Sequence, residues 1–317
     1  MRSMTSTLSA HVEQPTRQHQ WTVALAALLA AGLLLAISTN LAKVAHGIGV
    51  TPLAYLTWSL AGATLLLMVI AYFRGQTTKL NRRLAEYFII SGLLSVAGSN
   101  LIFFNAVVHL GVSFVALMLA LPPLLTYVGA LMLRMETFCW WRATGVGLAL
   151  VGTTLLVVQK WAAPNTDPVW IAITLIGPVL ISAGNLYRTR RWPPGATAES
   201  LAPGMLMGAL FILILFALVP GWSLTIPTES IYAGPLIVIQ AVVFAGQFLL
   251  LFVLQKTGGP VFLSLMGGVS ALFGVPIAMR LLAEPALPAI LPAATLVAAG
   301  IVCMVLGMTA CQRRVTH

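Results

Sequence analysis

Ten apolar runs, each about as long as a membrane-spanning helix, follow one another along this chain of 317 residues. A helix needs roughly 20 residues to cross a hydrocarbon core of about 30 Å. Inside lipid there is no water to hydrogen-bond the backbone N–H and C=O groups, so they must bond to one another within helices or closed strand barrels. The runs lack the alternating pattern of transmembrane strands, which leaves helices. Only 8% of the residues are charged. The sequence therefore predicts an all-α integral membrane protein with ten transmembrane helices.

The ten predicted helices are separated by short segments that contain Gly, Pro or charged residues. Their predicted ranges are 21–42, 53–73, 87–108, 112–133, 143–158, 169–187, 201–219, 235–254, 261–279 and 288–308. They form two sets of five, so we expect one five-helix unit over 21–160 and a second over 169–308. The segments 1–20 and 309–317 are predicted to be polar tails.

The distribution of basic residues predicts how the chain is oriented in the membrane. Fourteen of the seventeen Lys and Arg residues fall in segments on the side of the N-terminus, and only Lys43, Lys160 and Arg280 fall on the other side. Cytoplasmic loops are enriched in Lys and Arg. Both termini are therefore predicted to be cytoplasmic, in a multi-pass protein of a cell membrane such as a bacterial inner membrane.

An internal repeat relates the two sets of helices. Residues 104–158 and 252–306, aligned at a fixed offset of 148, are identical at twelve of 55 positions. The pair Glu136 and Glu284 is the most informative match, because the whole chain contains only seven acidic residues. Five helices separate equivalent positions, and five is odd. The second unit must therefore cross the membrane in the opposite sense, as in the inverted repeats of secondary transporters.

Each unit ends with a short loop, a helix containing Pro or Gly, a terminal Glu and a closing helix rich in Gly. The first copy reads His109-Leu-Gly-Val-Ser, then Leu-Pro-Pro, Met-Glu136 and Gly145-Val-Gly; the second reads Lys256-Thr-Gly-Gly-Pro, then Gly-Gly-Val-Ser and Ala-Glu284-Pro. Over residues 21–308 this resembles the EamA-type permeases of the drug/metabolite transporter (DMT) superfamily. The resemblance implies two five-helix repeats and the export of metabolites or toxic compounds.

Amide side chains at membrane depth are candidates for a substrate cavity, because each is costly in lipid unless it is paired or wet. Asn100 and Gln247 lie near the middle of helices 3 and 8, and Gln240 shares a helix face with Gln247. Asn40 and Asn185 lie near helix ends in the two units, at opposite sides of the membrane. The alternative is that these amides bond to neighbouring helices and only hold them together.

Interrupted helices in corresponding positions of the two units also point to a binding site. Tyr127 lies one turn after the proline pair of helix 4, on the same face, and is the aromatic candidate for contact with a solute. The residues predicted to interrupt helices 4 and 9, for gating or for packing alone, are Pro122, Pro123, Gly267, Gly268 and Pro276.

The acidic residues lie outside the predicted spans. Glu136 and Glu284 fall at helix ends, where a carboxylate favours the N-terminus of a helix, so a structural role is predicted for both. With no fixed charge expected inside a span, a neutral, zwitterionic or amphipathic solute is favoured over a strongly charged one. Coupling to protons through His46 or His109 is left open.

These features predict a secondary transporter, an exporter by the resemblance, that moves a metabolite, amino-acid-like or drug-like solute by alternating access around a midplane cavity. No phosphate-binding Gly-x-x-x-x-Gly-Lys-Ser/Thr loop is present, and neither a catalytic residue, a metal nor a cofactor is predicted. The net charge of +10 is scattered over short loops, which argues against nucleic acid as a partner. A membrane scaffold or regulatory protein, or an integral membrane enzyme, are the alternatives. Monomer and homodimer both remain open.

Overall fold

In a computed structural model the described residues are 17–76, 80–162, 167–227, 230–284 and 288–312, and side chains are described within 23–307. All of the regular structure in these ranges is helical, and they contain no strand. The predicted all-α fold is thereby confirmed for the described part. Most of both predicted tails lies outside the described residues, namely 1–16 and 313–317.

The helices follow the predicted order with ends that differ by a few residues. They are α1 (Arg17–Gly47), α2 (Pro52–Phe73), α3 (Arg82–Gly92), a π-helix (Leu93–Ala97), α4 (Gly98–Leu110), α5 (Val112–Met118), α6 (Pro122–Met132), α7 (Trp140–Ala162), α8 (Pro168–Arg190), α9 (Ala198–Phe216), α10 (Ala233–Leu281) and α11 (Ile290–Gln312).

Within the described ranges, nine helical segments are long and apolar enough to cross a membrane. Two of them combine consecutive elements: α3 continues through the π-helix into α4, and α5 is followed directly by α6. The longest, α10, has 49 residues and would extend more than 70 Å if straight. Its backbone leaves the helical region once, at Gly259, where φ is 74° and ψ is −175°. Predicted helices 8 and 9 lie on either side of this break.

Short side chains and prolines fix where several helices begin. The Thr51 hydroxyl accepts a hydrogen bond from the backbone N–H of Ala54, and Pro52 occupies the first turn of α2. The Asn81 side chain caps α3 in the same way through Leu84 N–H. Asp167 caps α8 before Pro168. Each cap satisfies an amide that would otherwise have no partner, and proline fits because its missing N–H is not needed there.

Helix α7 packs directly against α11 through small residues. A Cβ atom on Gly145 would lie 2.5 Å from the carbonyl oxygen of Gly300, and one on Gly152 would lie 2.8 Å from that of Ala293. The two backbones are therefore in contact, as small residues permit between membrane helices. The residue number rises along α7 while it falls along α11, so the two helices run antiparallel.

Elsewhere α1 packs against α10, α4 against α8, and α3 against α9. The outward faces carry large apolar side chains, for example Leu65 (66% exposed), Val151 (59%) and Val302 (56%). Soluble monomers rarely expose so much contiguous apolar surface. Many polar side chains of the spans are buried, among them Asn100, Asn185, Gln240 and Gln247.

Candidate functional site

A small cavity lies among α1, the segment from the π-helix to α4, the junction of α5 with α6, α8 and α10. Its volume of about 50 Å³ exceeds what one water needs but is far below the several hundred Å³ of a pocket for a drug-sized ligand. Leu35, Phe103 and Leu251 form part of its apolar wall. Its polar lining consists of Ser95, Ser99, Asn100, Asn185, Arg188, Gln247 and Ser264. In this conformation the helices must separate before a solute of several heavy atoms can enter.

Three of the six predicted cavity residues meet here. Asn100, Asn185 and Gln247 all line the cavity and are all at most 9% exposed. Asn100 Nδ2 donates to the carbonyl oxygen of Val96 at 2.9 Å, which orients the amide along its own helix. The Asn185 side chain accepts from a neighbouring arginine, described next. The sequence separation between them is long, so only the helix packing brings these amides together.

Arg188 is the one charged residue that lines the cavity, and it was not among the predicted site residues. It belongs to the last turn of α8 and has no exposed surface. Its Nε donates to Gln255 Oε1 at 2.7 Å, Nη2 donates to Asn185 Oδ1 at 2.7 Å, and Nη1 donates to Ser95 Oγ. The expectation that the spans hold no fixed charge is therefore wrong, because α8 continues past Tyr187 and carries this guanidinium into the interior.

The partners of Arg188 are themselves held by further hydrogen bonds. Gln255 Nε2 donates to the carbonyl oxygen of Asn185 at 2.9 Å and to Thr189 Oγ1 at 2.8 Å. Ser95 lies within the π-helix, whose extra residue per turn shifts the side chains that follow it; such bulges occur frequently at functional sites. Gly184 leaves room for Ser95, since a Cβ there would overlap the hydroxyl. The guanidinium is thus fixed by a network of neutral groups.

Two polar atoms of the cavity lining lack a hydrogen-bond partner. Gln247 is 3% exposed and Ser99 is 1% exposed, yet neither Gln247 Oε1 nor Ser99 Oγ is bonded. Leaving a buried polar atom unpaired costs about 1–3 kcal/mol. A solute or water in the cavity would supply the missing bonds. Among the described residues no three His, Cys, Asp or Glu side chains converge, so the cavity offers amides, hydroxyls and a guanidinium rather than a metal-binding set.

The other three predicted cavity residues do not line this cavity, because each is engaged elsewhere. Asn40 Nδ2 donates to the carbonyl oxygens of Ala36 and Gly274, which joins α1 to α10. Gln240 accepts from the Tyr55 hydroxyl at 3.2 Å and donates to Ser38 Oγ at 2.5 Å. For both, the alternative interpretation as links between helices describes the structure better.

Tyr127 also turns away from the cavity. Its hydroxyl accepts from the backbone N–H of Cys139 at 2.8 Å, and the guanidinium of Arg142 lies 5.9 Å from the centre of its ring. These contacts fasten α6 to the start of α7. The side chain therefore serves the junction between two helices rather than contact with a solute at the cavity.

Of the predicted helix breaks, only the one in helix 4 is found. Helix α5 ends at Met118 and α6 begins at Pro122, followed by Pro123, and Pro122 lines the cavity. Gly267 lies against this break, because a Cβ there would fall on the backbone of Leu119. Gly268, however, faces Ile301 of α11. The equivalent break predicted in helix 9 is absent.

The helix around that predicted break is regular, and Pro276 does not interrupt it. Within α10 the backbone departs from helical geometry at Gly259 alone, and Pro276 lies on an exposed face. Gly111, the residue matched to Gly259 in the repeat, has φ 89° and ψ 161°. The two halves therefore do have matching breaks, but these lie at the paired glycines between helices rather than inside helices 4 and 9.

Both helix-end carboxylates are engaged in contacts within the protein. Glu136 forms an ion pair with Arg142 at 2.7 Å. Glu284 accepts from both the backbone N–H of Ser113 at 3.0 Å and the Ser113 hydroxyl at 2.9 Å, at the start of α5. The helix that Glu284 caps belongs to the other half of the chain, 171 residues away, so this carboxylate joins the two halves.

A larger recess opens at the end of α8 and the start of α3. We call it the vestibule; its volume is about 840 Å³ and it includes Tyr87, Tyr187, and the basic residues Arg83, Arg190 and Arg191. Glu86 is the one acidic residue among its lining. Tyr87 and Tyr187 stack with ring centres 6.0 Å apart. Tyr187 directly precedes Arg188 in α8, so neighbouring residues of one helix line the vestibule and the cavity.

Sequence reasoning missed Arg188 because the run Tyr187-Arg-Thr-Arg-Arg has the composition of a basic cytoplasmic loop. One available signal was its spacing from Asn185. Residues three apart share a helix face, so a helix extended by one turn would have placed both side chains on the same side. Ser95 and Gln255 had no such signal, since only tertiary packing brings them to α8.

Comparison with known proteins supports the resemblance over the first half of the chain. Residues 22–158 match the family model of the EamA-like transporter family. A crystal structure of another protein, 17% identical in sequence, superposes with a TM-score of 0.64 over 93% of this chain and 99% of that chain. At that identity the likeness shows a shared fold. No curated protein matches this chain.

Proposed function

We propose that this chain, whose residues 22–158 match the EamA-like transporter family, is a secondary transporter that moves a small solute by alternating access around the central cavity. The observation that carries the proposal is the cavity itself: a buried polar site with unpaired Gln247 and Ser99 atoms, enclosed by helices from both halves of an apolar bundle. A scaffold has no use for such a site. An enzyme would need nucleophiles or carboxylates at it.

The arrangement of the halves supports alternating access. At the repeat offset of 148, Gly145 corresponds to Ala293 and Gly152 corresponds to Gly300. The contact of Gly145 with Gly300 and the contact of Gly152 with Ala293 are therefore equivalent, and both are present between the antiparallel helices α7 and α11. Gly111 and Gly259 break the chain at equivalent points with similar backbone angles. Two five-helix units related by an axis in the membrane plane account for these pairs. Counting α10 as two crossings, divided at Gly259, gives ten spans.

The remaining parts of the proposal concern direction and membrane. Ten spans and the excess of basic residues on one side support cytoplasmic termini, and the membrane that we propose is a bacterial inner membrane. The vestibule then opens to the cytoplasm, which suits an exporter that collects its solute there. The small cavity corresponds to a conformation closed around the site, and rocking of the halves would open it to either side.

Transport is tested by counterflow in proteoliposomes with amino acids, metabolites and cationic drugs, with and without a pH gradient. Asn100→Ala should lower the flux of a transported solute by about tenfold, the worth of one lost hydrogen bond in the cavity. Asn105→Ala is the matched control, because Asn105 bonds to Leu101 on the same helix but does not line the cavity. No flux of any solute, or equal flux in both variants, would contradict the proposal. Flux that does not change with the pH gradient would exclude coupling of transport to protons.

A further inference from the structure

Arg188 carries a buried positive charge that the described protein groups do not neutralise. Its hydrogen-bond partners, Ser95, Asn185 and Gln255, are all uncharged. Among the described residues the ion pairs are Arg74 with Glu199 and Arg142 with Glu136, and Arg188 takes part in neither. An unpaired buried charge is expensive, and charged residues within membrane-spanning helices usually serve a substrate or ion pathway. The network alone orients the guanidinium without balancing its charge.

Two of the five N–H groups of the guanidinium have no hydrogen-bond acceptor among the described residues. Nε has one N–H, used by Gln255, while each terminal nitrogen has two, of which one is used by Ser95 or Asn185. One N–H on each terminal nitrogen is therefore left, on a side chain that lines the cavity. This number matches the two oxygens of a carboxylate, which arginine binds with paired hydrogen bonds.

The rest of the lining limits what the other end of such a solute can be. Arg188 is the one charged side chain among the residues that line the cavity, so a second negative charge on the solute would find no cation. Gln247 Oε1 is a buried, unpaired acceptor, which calls for a hydrogen-bond donor on the solute. Leu35, Phe103 and Leu251 offer apolar contact between these polar points.

The vestibule gathers basic residues beside the end of α8 that carries this guanidinium. Three arginines and one glutamate line it, and two of those arginines, Arg190 and Arg191, follow Arg188 at the end of α8. A basic funnel raises the local concentration of an anion at the entrance to a site. The access path and the buried charge thus favour the same kind of solute.

We infer that the cavity binds solutes with a single carboxylate, held by Arg188, and with a hydroxyl or amino donor near that carboxylate, which reaches Gln247. This inference rests on the proposed function, since it names the substrate class of the same site. The sequence favoured a neutral, zwitterionic or amphipathic solute over a strongly charged one. The carboxylate site instead requires one negative charge on the solute, at the end of the cavity near the vestibule.

The test uses 2-hydroxy acids with methyl, isobutyl and phenylmethyl side chains, each paired with its neutral carboxamide. Binding to the purified full chain is measured by ligand-induced thermal stabilisation. At least one acid should bind about tenfold or more tightly than its carboxamide, as a charge-assisted hydrogen bond implies. Arg188→Gln should abolish this preference. Arg188→Lys should keep a weaker one, because lysine retains the charge but lacks the paired donors.

Arg142→Gln is the control, because Arg142 is also a buried arginine but pairs with Glu136 outside the cavity. It should leave the preference for acids unchanged. If no acid binds the wild-type chain better than its carboxamide, the inference is overturned, and this result needs no variant to fold. The same preference in Arg188→Gln as in the wild type would also overturn it.

Counterflow with the same compounds separates this inference from the proposed function. If acids bind through Arg188 but none is moved across the membrane, the transport proposal fails and the binding site stands. If neutral or cationic solutes are moved and Arg188→Gln moves them equally well, transport stands and the carboxylate site fails.

Discussion

At the scale of single residues, two buried arginines differ in whether their charge is balanced by a carboxylate. Arg142 is 5% exposed, pairs with the Glu136 carboxylate at 2.7 Å and covers the ring of Tyr127, so its charge is balanced where α6 meets α7. Arg188 is fully buried among neutral groups. The first arrangement stabilises a junction. The second holds a charge ready for a partner that the described side chains do not supply.

Gly184 tests whether the Arg188 network depends on close packing. Replacing it with alanine would place a methyl group on the Ser95 hydroxyl, so α8 and the π-helix must separate or Ser95 must release the guanidinium. We expect Gly184→Ala to lower the free energy of unfolding by about 1–3 kcal/mol, as overpacking does. Thermal unfolding in detergent measures this effect.

The control is Gly147→Ala, in the interior of α7, where an added Cβ would meet no atom within 4 Å. Alanine there should leave stability unchanged or raise it by about 0.5–1 kcal/mol, because glycine is the poorer helix former. Equal stability of the two variants would show that the contact of Gly184 with Ser95 is not tight in the protein.

At the scale of helices, the candidate site is shaped by the positions where helices are interrupted. The junction of α5 with α6 lies at the cavity, where Pro122 begins a new helix and Gly267 allows α10 to approach the Leu119 backbone. Gly111 and Gly259 instead lie between successive helices, in backbone conformations that other residues avoid. The first break lies at the candidate site, while the paired glycines interrupt the helices at matching positions of the two halves.

Gly259→Ala isolates the energetic contribution of the backbone conformation at one of these paired glycines. The added Cβ would meet no atom within 4 Å, so the cost comes from the backbone angles alone, at φ 74°. We expect a loss of stability of about 1–3 kcal/mol, observed as a lower thermal unfolding midpoint. Gly234→Ala, in the first turn of α10 and also without close neighbours, should change the midpoint little. A tolerated Gly259→Ala would mean that this position does not need its glycine conformation.

At the scale of the whole molecule, the chain forms an apolar bundle whose polar groups converge between its halves. Glu284 reaches Ser113, Asn40 reaches the Gly274 carbonyl, and Arg188 reaches Ser95 across large sequence separations. Contacts of this kind join the two halves of the chain. Transport would require that they break and form in turn as the halves move relative to each other.

Much of this architecture could be predicted from the sequence because hydrophobic length is a strong constraint in lipid. The helix order, the break at Pro122 and the presence of Asn100 and Gln247 in one cavity follow from apolar runs and from amides at membrane depth. Packing partners leave no such trace along a single sequence. Tyr127 and Gln240 therefore had plausible alternatives that only the structure could separate, and the burial of Arg188 depended on where α8 ends.

Alternating access is tested most directly by labelling one cavity residue from both sides of the membrane. Ser264 lines the cavity and is 4% exposed, so Ser264→Cys, with Cys139, Cys303 and Cys311 replaced, provides a single reactive thiol at the site. In oriented vesicles, alternating access predicts that a membrane-impermeant thiol reagent reaches it from either face and that a transported solute slows both reactions. Labelling from one face alone, at a rate that no solute changes, would contradict a cavity that opens to both sides.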